Sequence, residues 1–243
     1  TTAYELAKSG HSVTVLERKP KPGMETSYGN AGLIAPGHSY AWTTPNLPKK
    51  LIKSLYEKQR AFRFRFNFDP NMWRWGFQFI QQCTKSKMKE NTLRKHRLST
   101  YSQIKLHELI NETGIRFYQN KKGLIYIFRS DKSFEEGKAK LALLKPNMNN
   151  LTLLYKSDLL NLEPALKRMN GEIAGGIYCA SDESGSCYDF TIKLHDICKK
   201  MGVDFQFSTD VKKIIVKRDK IKMVLSTNNH FQADAYVLSF AAY

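Results

Sequence analysis

The segment Thr1-Thr-Ala-Tyr-Glu-Leu-Ala-Lys-Ser-Gly-His-Ser-Val-Thr-Val-Leu-Glu17 decides the fold class. Its first part places apolar side chains on one face of a short helix, and Gly10 is suited to end that helix in a left-handed conformation. A short apolar strand follows and ends in an acid, Glu17. A helix, a tight glycine turn and a buried strand with a terminal acid form the second half of a nucleotide-binding βαβ unit. The sequence therefore predicts an α/β protein with a Rossmann-like domain.

The acid at the end of this strand is a candidate ligand for a nucleotide. In Rossmann-type folds a carboxylate at this position accepts hydrogen bonds from the ribose hydroxyls, and Arg18 beside it can face adenine or a phosphate. The alternative is that Glu17 is an ordinary surface acid at a strand end. We expect the glycine-rich phosphate loop of such a unit just upstream of Thr1, so the Rossmann-like domain is expected to be incomplete.

A long loop from Arg18 to Pro48 follows the strand and is rich in Gly, Pro, Ser and Asn. Loops longer than about 15 residues in compact domains usually carry function or are disordered. Its central part, Glu25-Thr-Ser-Tyr-Gly-Asn-Ala-Gly-Leu-Ile-Ala-Pro-Gly37, alternates small residues with hydrogen-bonding ones. Such a segment can bring backbone N–H groups close to a ligand.

Hydrophobic periodicity predicts the remaining elements. The strongest helix spans 88–113, with Leu98, Tyr101, Ile104, Leu109 and Ile110 facing inward. The other expected helices span 71–83, 130–146, 157–162 and 190–201. The expected strands span 175–179, 203–207, 211–216, 221–225 and 233–240, together with a hairpin of 115–118 and 124–129 and an extended segment at 61–68. The segment 233–240 is apolar, as a buried parallel strand would be.

Charge is the unusual part of the composition: of 243 residues, 39 are basic and 22 acidic, which gives a net charge of +17. Three explanations stay open: a lysine-rich compositional bias, an anionic membrane surface and a nucleic-acid surface. The bias is favoured, and no motif supports nucleic-acid binding. The segment Lys49–Arg65 is the candidate for a membrane surface. The Phe–Arg alternation at 62–68 suits single-stranded nucleic acid less well than a half-buried edge of a substrate domain.

The four cysteines form no CxxC pair and no zinc-like spacing, and no apolar run is long enough to span a membrane. We therefore expect a cytoplasmic protein without a metal site, with peripheral attachment to the inner membrane as an additional location. The chain begins without Met and ends directly after an apolar run. We expect it to be part of a longer protein and not to hold a dinucleotide tightly on its own.

Three segments carry a resemblance to a known family: the turn and strand from Gly10 to Glu17, the loop from Glu25 to Gly37, and Trp42 with the spacing of Pro45 and Pro48. Together they resemble the FAD-dependent oxidoreductases, the family of the D-amino acid dehydrogenase small subunit, glycine oxidase and D-amino-acid oxidase. The likeness extends more weakly over nearly the whole chain. It implies a Rossmann-like FAD-binding domain in two parts, 1–47 and 181–243, around an inserted α+β substrate domain at 48–180.

By this resemblance Glu17 holds the adenosine ribose, and the backbone of Val211 meets adenine. The pyrophosphate and flavin side of FAD is lined by Ser27, Asn30, Ala31 and Gly32. Two positions depart from the family pattern. Ala241 stands where a glycine is usual, and Ser186 stands where an acid is common.

The implied activity is oxidation of a D-amino acid or a similar small amine to a keto acid and ammonia. Arg129 and Tyr126 are candidate anchors for the substrate carboxylate, while no catalytic residue is identified. Adjacent Asp182 and Glu183 are not expected to share acid–base work, because neighbouring strand residues point to opposite faces. The expected partners are the amino-acid substrate and a peripheral membrane or respiratory-chain electron acceptor.

The other ionisable and thiol side chains are expected to be structural. We expect His11 in a turn, His38 in a loop and His107 on a helix surface, and we expect Cys187 and Cys198 to be small core residues. The alternatives to an enzyme are an inactive truncated fragment and a basic module that binds a partner or a membrane surface.

Overall fold

A computed structural model describes residues 1–54, 69–147, 150–169 and 172–239. The helices are α1 (Thr2–Lys8), α2 (Leu47–Ser54), α3 (Pro70–Gln81), α4 (Lys85–Thr113), α5 (Asp131–Leu144), α6 (Lys156–Leu162) and α7 (Cys187–Lys200). The strands are β1 (Thr14–Leu16), β2 (Leu33–Ile34), β3 (Leu124–Phe128), β4 (Leu151–Tyr155), β5 (Gly175–Cys179), β6 (Glu183–Ser184), β7 (Asp204–Gln206), β8 (Val211–Lys217), β9 (Lys220–Ser226) and β10 (His230–Phe231). Short 3₁₀ turns span Pro36–His38, Lys145–Asn147 and Pro164–Arg168.

The chain divides into two compact units. Unit 1 contains Thr1–Gly32, Ile110–Tyr118 and Gly185–Tyr243, and unit 2 contains Leu33–Leu109 and Gln119–Ser184. The domain boundaries predicted from the resemblance, 1–47, 48–180 and 181–243, stay a prediction. No described helix is both long enough and apolar enough to cross a membrane.

Unit 1 is built on the segment that opened the sequence analysis. Helix α1 is followed by Gly10, whose φ of 86° is the left-handed value that ends a helix. Strand β1 then pairs in parallel with β7, with Thr14 opposite Asp204 and Leu16 opposite Gln206. Helix α1 packs against α7. This parallel pair with its helices is the α/β arrangement that the sequence predicts.

A three-stranded antiparallel sheet, in the order β10–β9–β8, completes unit 1. The turn between β8 and β9 consists of Arg218 and Asp219, with φ values of 50° and 59°. Two consecutive left-handed residues are the geometry of a tight type I′ hairpin, which matches the twist of the flanking strands.

Unit 2 contains an antiparallel sheet in the order β3–β5–β4. Helix α5 packs on this sheet, and its leucines Leu141 and Leu144 join Leu151, Ile177 and Cys179 in the buried core. Ser130 caps α5 by accepting a hydrogen bond from the Ser133 backbone N–H at 3.3 Å. A second antiparallel pair, β2–β6, places Leu33 opposite Ser184 and Ile34 opposite Glu183.

Most elements predicted from periodicity are confirmed, but the hairpin of 115–118 and 124–129 is wrong. Strand β3 pairs with β5, and 115–118 is not a strand. Ile115 and Phe117 are instead buried in the core of unit 1, where the Phe117 ring meets Phe190 edge-on at 5.2 Å. Because these two buried residues alternate with exposed Arg116 and Tyr118, this irregular segment has the two-residue period of a strand.

Two further expectations fail in the described residues. The segment 233–239 is not a strand, and Val237 is 60% exposed, because no strand of unit 1 lies beside it to complete a ladder. On α4, Leu98 is 68% exposed, and Tyr101 and Ile104 are also exposed; only Leu109 of the predicted inward residues is buried. The extended segment at 61–68 and the family departure at Ala241 lie outside the described residues.

Candidate functional site

A cavity of about 140 Å³ in unit 1, called here the loop pocket, brings two distant segments together. One wall is the central part of the long loop, and the other is the beginning of α7. The lining residues are Ser27, Tyr28, Asn30, Ala31, Gly32, Gly185, Ser186, Cys187 and Tyr188. All four loop residues that the resemblance assigns to the pyrophosphate and flavin side of FAD therefore line one cavity.

Local backbone chemistry shapes the loop wall. The Asn30 side-chain oxygen accepts a hydrogen bond from the Gly32 N–H at 2.8 Å, which closes a tight turn. Gly32 has a φ of 60°, and its carbonyl accepts a hydrogen bond from the Gly185 N–H at 2.8 Å. A Cβ at position 32 would lie 2.2 Å from the Gly185 oxygen. Only glycine allows this close approach of the two walls.

The opposite wall is a helix N-terminus. Ser186 caps α7, since its hydroxyl accepts a hydrogen bond from the Asp189 N–H at 3.1 Å. Serine at this position departs from the family pattern, and its capping role explains what the residue does here. Helix N-termini carry a partial positive charge and attract phosphate groups. Glycine, small side chains and a helix N-terminus fit the pyrophosphate part of a dinucleotide. The cavity of about 140 Å³ is large enough for such a part but not for a whole dinucleotide.

Glu17 lies directly after β1, where the nucleotide-binding pattern requires an acid. Its carboxylate accepts a hydrogen bond from the Lys19 N–H at 2.8 Å, and its backbone oxygen accepts one from the Thr209 N–H at 2.9 Å. Thr209 precedes Val211, the first residue of β8. The structure thus brings Glu17 close to the segment that leads into Val211. The roles of Glu17 and Val211 toward adenosine stay predictions.

Arg18 contacts the long loop. Its guanidinium lies 2.8 Å from the Glu25 carboxylate, and Lys19 lies 3.0 Å from the same oxygen. The two cations, Lys19 first, lower the pKa of Glu25. Arg18 therefore ties the end of β1 to the beginning of the loop that lines the pocket, while its predicted contact with FAD stays untested.

Unit 2 contains a buried carboxylate that sequence reasoning did not single out as a structural anchor. Asp182 is 0% exposed. One oxygen accepts a hydrogen bond from the Gly37 N–H at 2.8 Å, and the other accepts one from the Tyr126 hydroxyl at 2.6 Å. Burial and this bond raise the pKa of Tyr126.

Glu183, 4% exposed, has a separate set of partners. It accepts hydrogen bonds from Gln103 at 3.0 Å and Gln119 at 2.5 Å, and its oxygen lies 2.5 Å from His107 Nε2. The expectation that His107 is a plain helix-surface residue is therefore wrong. The signal in the sequence was the spacing of Gln103 and His107, which places both on one face of α4. Among the described residues, Asp182 and Glu183 have different hydrogen-bond partners, as expected for adjacent carboxylates that do not share acid–base work.

Neither Arg129 nor Tyr126, the two predicted anchors for the substrate carboxylate, is positioned to bind it. Arg129 lies on the surface, with its side chain 69% exposed and 3.7 Å from Glu172. The Tyr126 hydroxyl gives its one hydrogen to Asp182, so it cannot donate to a substrate carboxylate in the same state. In the described ranges no three His, Cys, Asp or Glu side chains are grouped as a metal ion would require.

Comparison with known proteins identifies the class. The sequence profile described as "DAO: FAD dependent oxidoreductase" matches residues 1–243. The chain belongs to this family of FAD-dependent oxidoreductases, and the predicted fold class is confirmed. A D-amino acid dehydrogenase of Azorhizobium caulinodans is 36% identical over 243 residues, which are 100% of this chain and 58% of the relative.

Solved structures show the same fold. Glycine oxidase from Geobacillus kaustophilus superposes with a TM-score of 0.61 at 19% identity, over 96% of this chain and 50% of that protein. L-Amino acid deaminase from Proteus myxofaciens superposes with a TM-score of 0.57 at 15% identity, over 95% of this chain and 40% of that protein. The chain thus spans about half the length of these enzymes.

Proposed function

We propose that this chain binds FAD within an enzyme that oxidises D-amino acids or similar small amines to keto acids and ammonia. The observation that carries the proposal is the loop pocket, in which four of the seven predicted cofactor residues, Ser27, Asn30, Ala31 and Gly32, lie opposite the N-terminus of α7. Membership of the FAD-dependent oxidoreductase family supports the cofactor, and the 36% identical D-amino acid dehydrogenase supports the substrate class.

When bound, FAD supplies the hydride acceptor for oxidation of the amine to an imine, which water then hydrolyses. The chain's own residues bind and orient it. The Glu17 carboxylate accepts hydrogen bonds from the ribose, and the loop from Ser27 to Gly32 presents polar and backbone groups to the pyrophosphate. We assign cofactor binding to 1–47 and 181–243, and substrate binding to 48–180.

An FAD titration followed by flavin fluorescence tests the assignment of Glu17. In the natural full-length protein, Glu17→Ala is expected to weaken binding by about 1–3 kcal/mol, because a charge-assisted hydrogen bond is lost. Glu5→Ala, which removes an exposed acid of α1, is the matched control. A dissociation constant that is the same in Glu17→Ala and in the unaltered protein would refute the role of Glu17.

The 243-residue chain by itself is expected to lose FAD on desalting. The contacts available in the loop pocket contribute about 1 kcal/mol each, which is small beside the entropy cost of immobilising a large cofactor. A visible spectrum recorded after desalting measures retained flavin. Stoichiometric flavin absorbance would contradict this expectation.

One observation favours a second candidate function, contact with an anionic membrane that holds the electron acceptor. Helix α3 has no buried residue and exposes Trp75, Phe77 and Ile80. Helix α2 of the same unit separately carries exposed lysines at 49, 50 and 53. Aromatic and basic side chains together favour the surface of an anionic bilayer.

Vesicle co-sedimentation tests the membrane contact. Binding to anionic vesicles is expected to exceed binding to neutral vesicles and to fall as salt is raised, because part of the attraction is electrostatic. Phe77→Glu should weaken it, whereas the same change at exposed Tyr155, Tyr155→Glu, should not. Equal sedimentation with both vesicle types would exclude the contact.

A further inference from the structure

Two tyrosines that were not predicted to bind the cofactor, Tyr28 and Tyr188, line the loop pocket from its opposite walls. Their rings meet edge-on, with centroids 5.1 Å apart and an interplanar angle of 77°. An edge-on pair is attractive because the positive edge of one ring faces the negative face of the other. This pair, called here the tyrosine clasp, therefore connects the middle of the long loop to the first turn of α7.

The Tyr188 half of the clasp is part of a fixed wall. Tyr188 is the second residue of α7, and the Thr191 hydroxyl donates a hydrogen bond to the Cys187 carbonyl at 2.8 Å in the same part of the helix. The long loop packs on the Tyr188 ring at Gly23, where a Cβ would lie 3.1 Å from the ring atom Cδ2. Gly23 also has a φ of 72°, at which a side chain would be strained. Glycine at position 23 thus lets the loop contact this ring directly.

The Tyr28 half of the clasp lies on the loop wall, and Tyr28 is 69% exposed. The Tyr28 N–H donates to the Glu25 carbonyl at 3.0 Å, and the Asn30 side-chain amide donates to the Thr26 carbonyl at 3.2 Å. Both hydrogen bonds lie within the loop, so they shape it without holding it against α7. The clasp adds a contact between the loop and the helix at this point.

The loop wall is attached on both sides of Asn30 and Ala31, two of its predicted cofactor residues. On one side the Gly32 carbonyl accepts the hydrogen bond from the Gly185 N–H, and on the other side the clasp contacts α7. Asn30 and Ala31 are themselves exposed, so burial in a core does not fix their position. Their distance from α7 therefore depends on the two attachments.

We infer that Tyr28 and Tyr188 are positioning residues for cofactor binding, because their contact holds the loop wall in place before FAD binds. This inference rests on the proposed function and adds two residues to the same site. A preformed site binds more tightly than a loop that must become ordered on binding, because less conformational entropy is lost. The contact is made by the rings, so phenylalanine should replace tyrosine at either position, whereas alanine should not.

A double-mutant cycle in the natural full-length protein tests the contact by FAD titration. Tyr28→Ala and Tyr188→Ala should each weaken FAD binding about fivefold, in keeping with the modest strength of one aromatic pair. The double variant should also lose about fivefold rather than about 25-fold, since either single change already removes the contact. Tyr188→Phe and the control Tyr101→Ala, which removes an exposed tyrosine of unit 2, should change binding less than about twofold. Effects that multiply in the double variant, or full affinity in Tyr188→Ala, would overturn the inference.

Hydrogen exchange of the FAD-free protein separates positioning of the loop from a general structural role. In Tyr188→Ala, which leaves the loop sequence intact, the amides of residues 28–32 should exchange about fivefold faster, because the clasp no longer opposes local opening. The amides of β1 should exchange as before, and the melting temperature should shift by less than about 1 °C, because Tyr28 is exposed and its ring contributes little to the core. A large fall in melting temperature with unchanged loop exchange would contradict the inference.

The exchange measurement needs no FAD, so the two proposals can fail separately. Faster loop exchange in Tyr188→Ala of a protein that does not bind FAD would refute the proposed function and leave the clasp as the contact that orders the loop. FAD binding with equal affinity in all variants would refute the positioning role and leave the proposed function in place.

Discussion

The loop pocket of unit 1 and the buried carboxylates of unit 2 hold their polar groups in different ways. In the pocket, Asn30 and Ala31 are exposed, and backbone contacts between Gly32 and Gly185 set the geometry. In unit 2, Asp182 and Glu183 are buried, and side-chain hydrogen bonds from distant parts of the chain set theirs. Water can hydrogen-bond to the polar groups of a surface loop until a ligand binds, whereas a buried charge must receive its hydrogen bonds from the protein itself.

The largest expected effect is in unit 2. Asp182→Ala removes the acceptor of both the Gly37 N–H and the Tyr126 hydroxyl. Hydrogen bonds to charged groups contribute more than neutral ones, so we expect the free energy of unfolding to fall by about 3 kcal/mol. Urea titration measures it, with exposed Asp234→Ala as the control. Equal unfolding midpoints for the two variants would show that burial of Asp182 contributes little.

A somewhat smaller effect is expected at the pocket. Gly32→Ala places a Cβ 2.2 Å from the Gly185 oxygen at a φ of 60°. The walls must then separate, at a cost of about 2 kcal/mol. Gly29→Ala meets nothing within 4 Å and serves as the matched control. Should the two alanine variants unfold at the same urea concentration, the close contact between the walls is not required.

The two regions should also differ in their response to pH. Burial raises the pKa of Tyr40 to about 12, so between pH 10 and pH 12 the unfolded chain loses this proton first and stability falls as pH rises. After allowance for solvent screening of a half-buried group, we expect a loss of about 1 kcal/mol. Tyr40→Phe should reduce the slope of unfolding free energy against pH in this window.

In unit 1 the expected loss of stability occurs on lowering the pH rather than on raising it. Lys19 and Arg18 lower the pKa of Glu25, so its contribution is present above the unfolded pKa and is lost as pH falls through the folded value. Glu25→Gln should flatten the acid side of the stability profile and leave the alkaline side unchanged. An effect of Glu25→Gln above pH 10 would break the comparison.

The smallest effect is expected on α4. Leu98→Ser should change the free energy of unfolding by less than about 0.5 kcal/mol, because its side chain is already exposed. Leu109→Ala, at a buried position of the same helix, should cost about 3 kcal/mol. A large loss in Leu98→Ser would show that this face is covered in solution.

Local patterns in the sequence determined much of this protein. The glycine at position 10, the acid at position 17 and the small-residue loop that includes Gly32 predicted an α/β nucleotide-binding fold and the residues of one wall of the loop pocket. These features depend on backbone conformation within a few residues, which composition and spacing report directly.

Only the tertiary structure decided which polar groups meet. Asp182 is hydrogen-bonded to Tyr126 and Gly37, and Glu183 to Gln119 and His107. Each pair is separated by 56 or more residues in the sequence. The failed strand at 233–239 and the exposed face around Leu98 have the same origin. Apolar periodicity states that a segment can be buried, but burial and pairing require a neighbour whose position the fold alone determines.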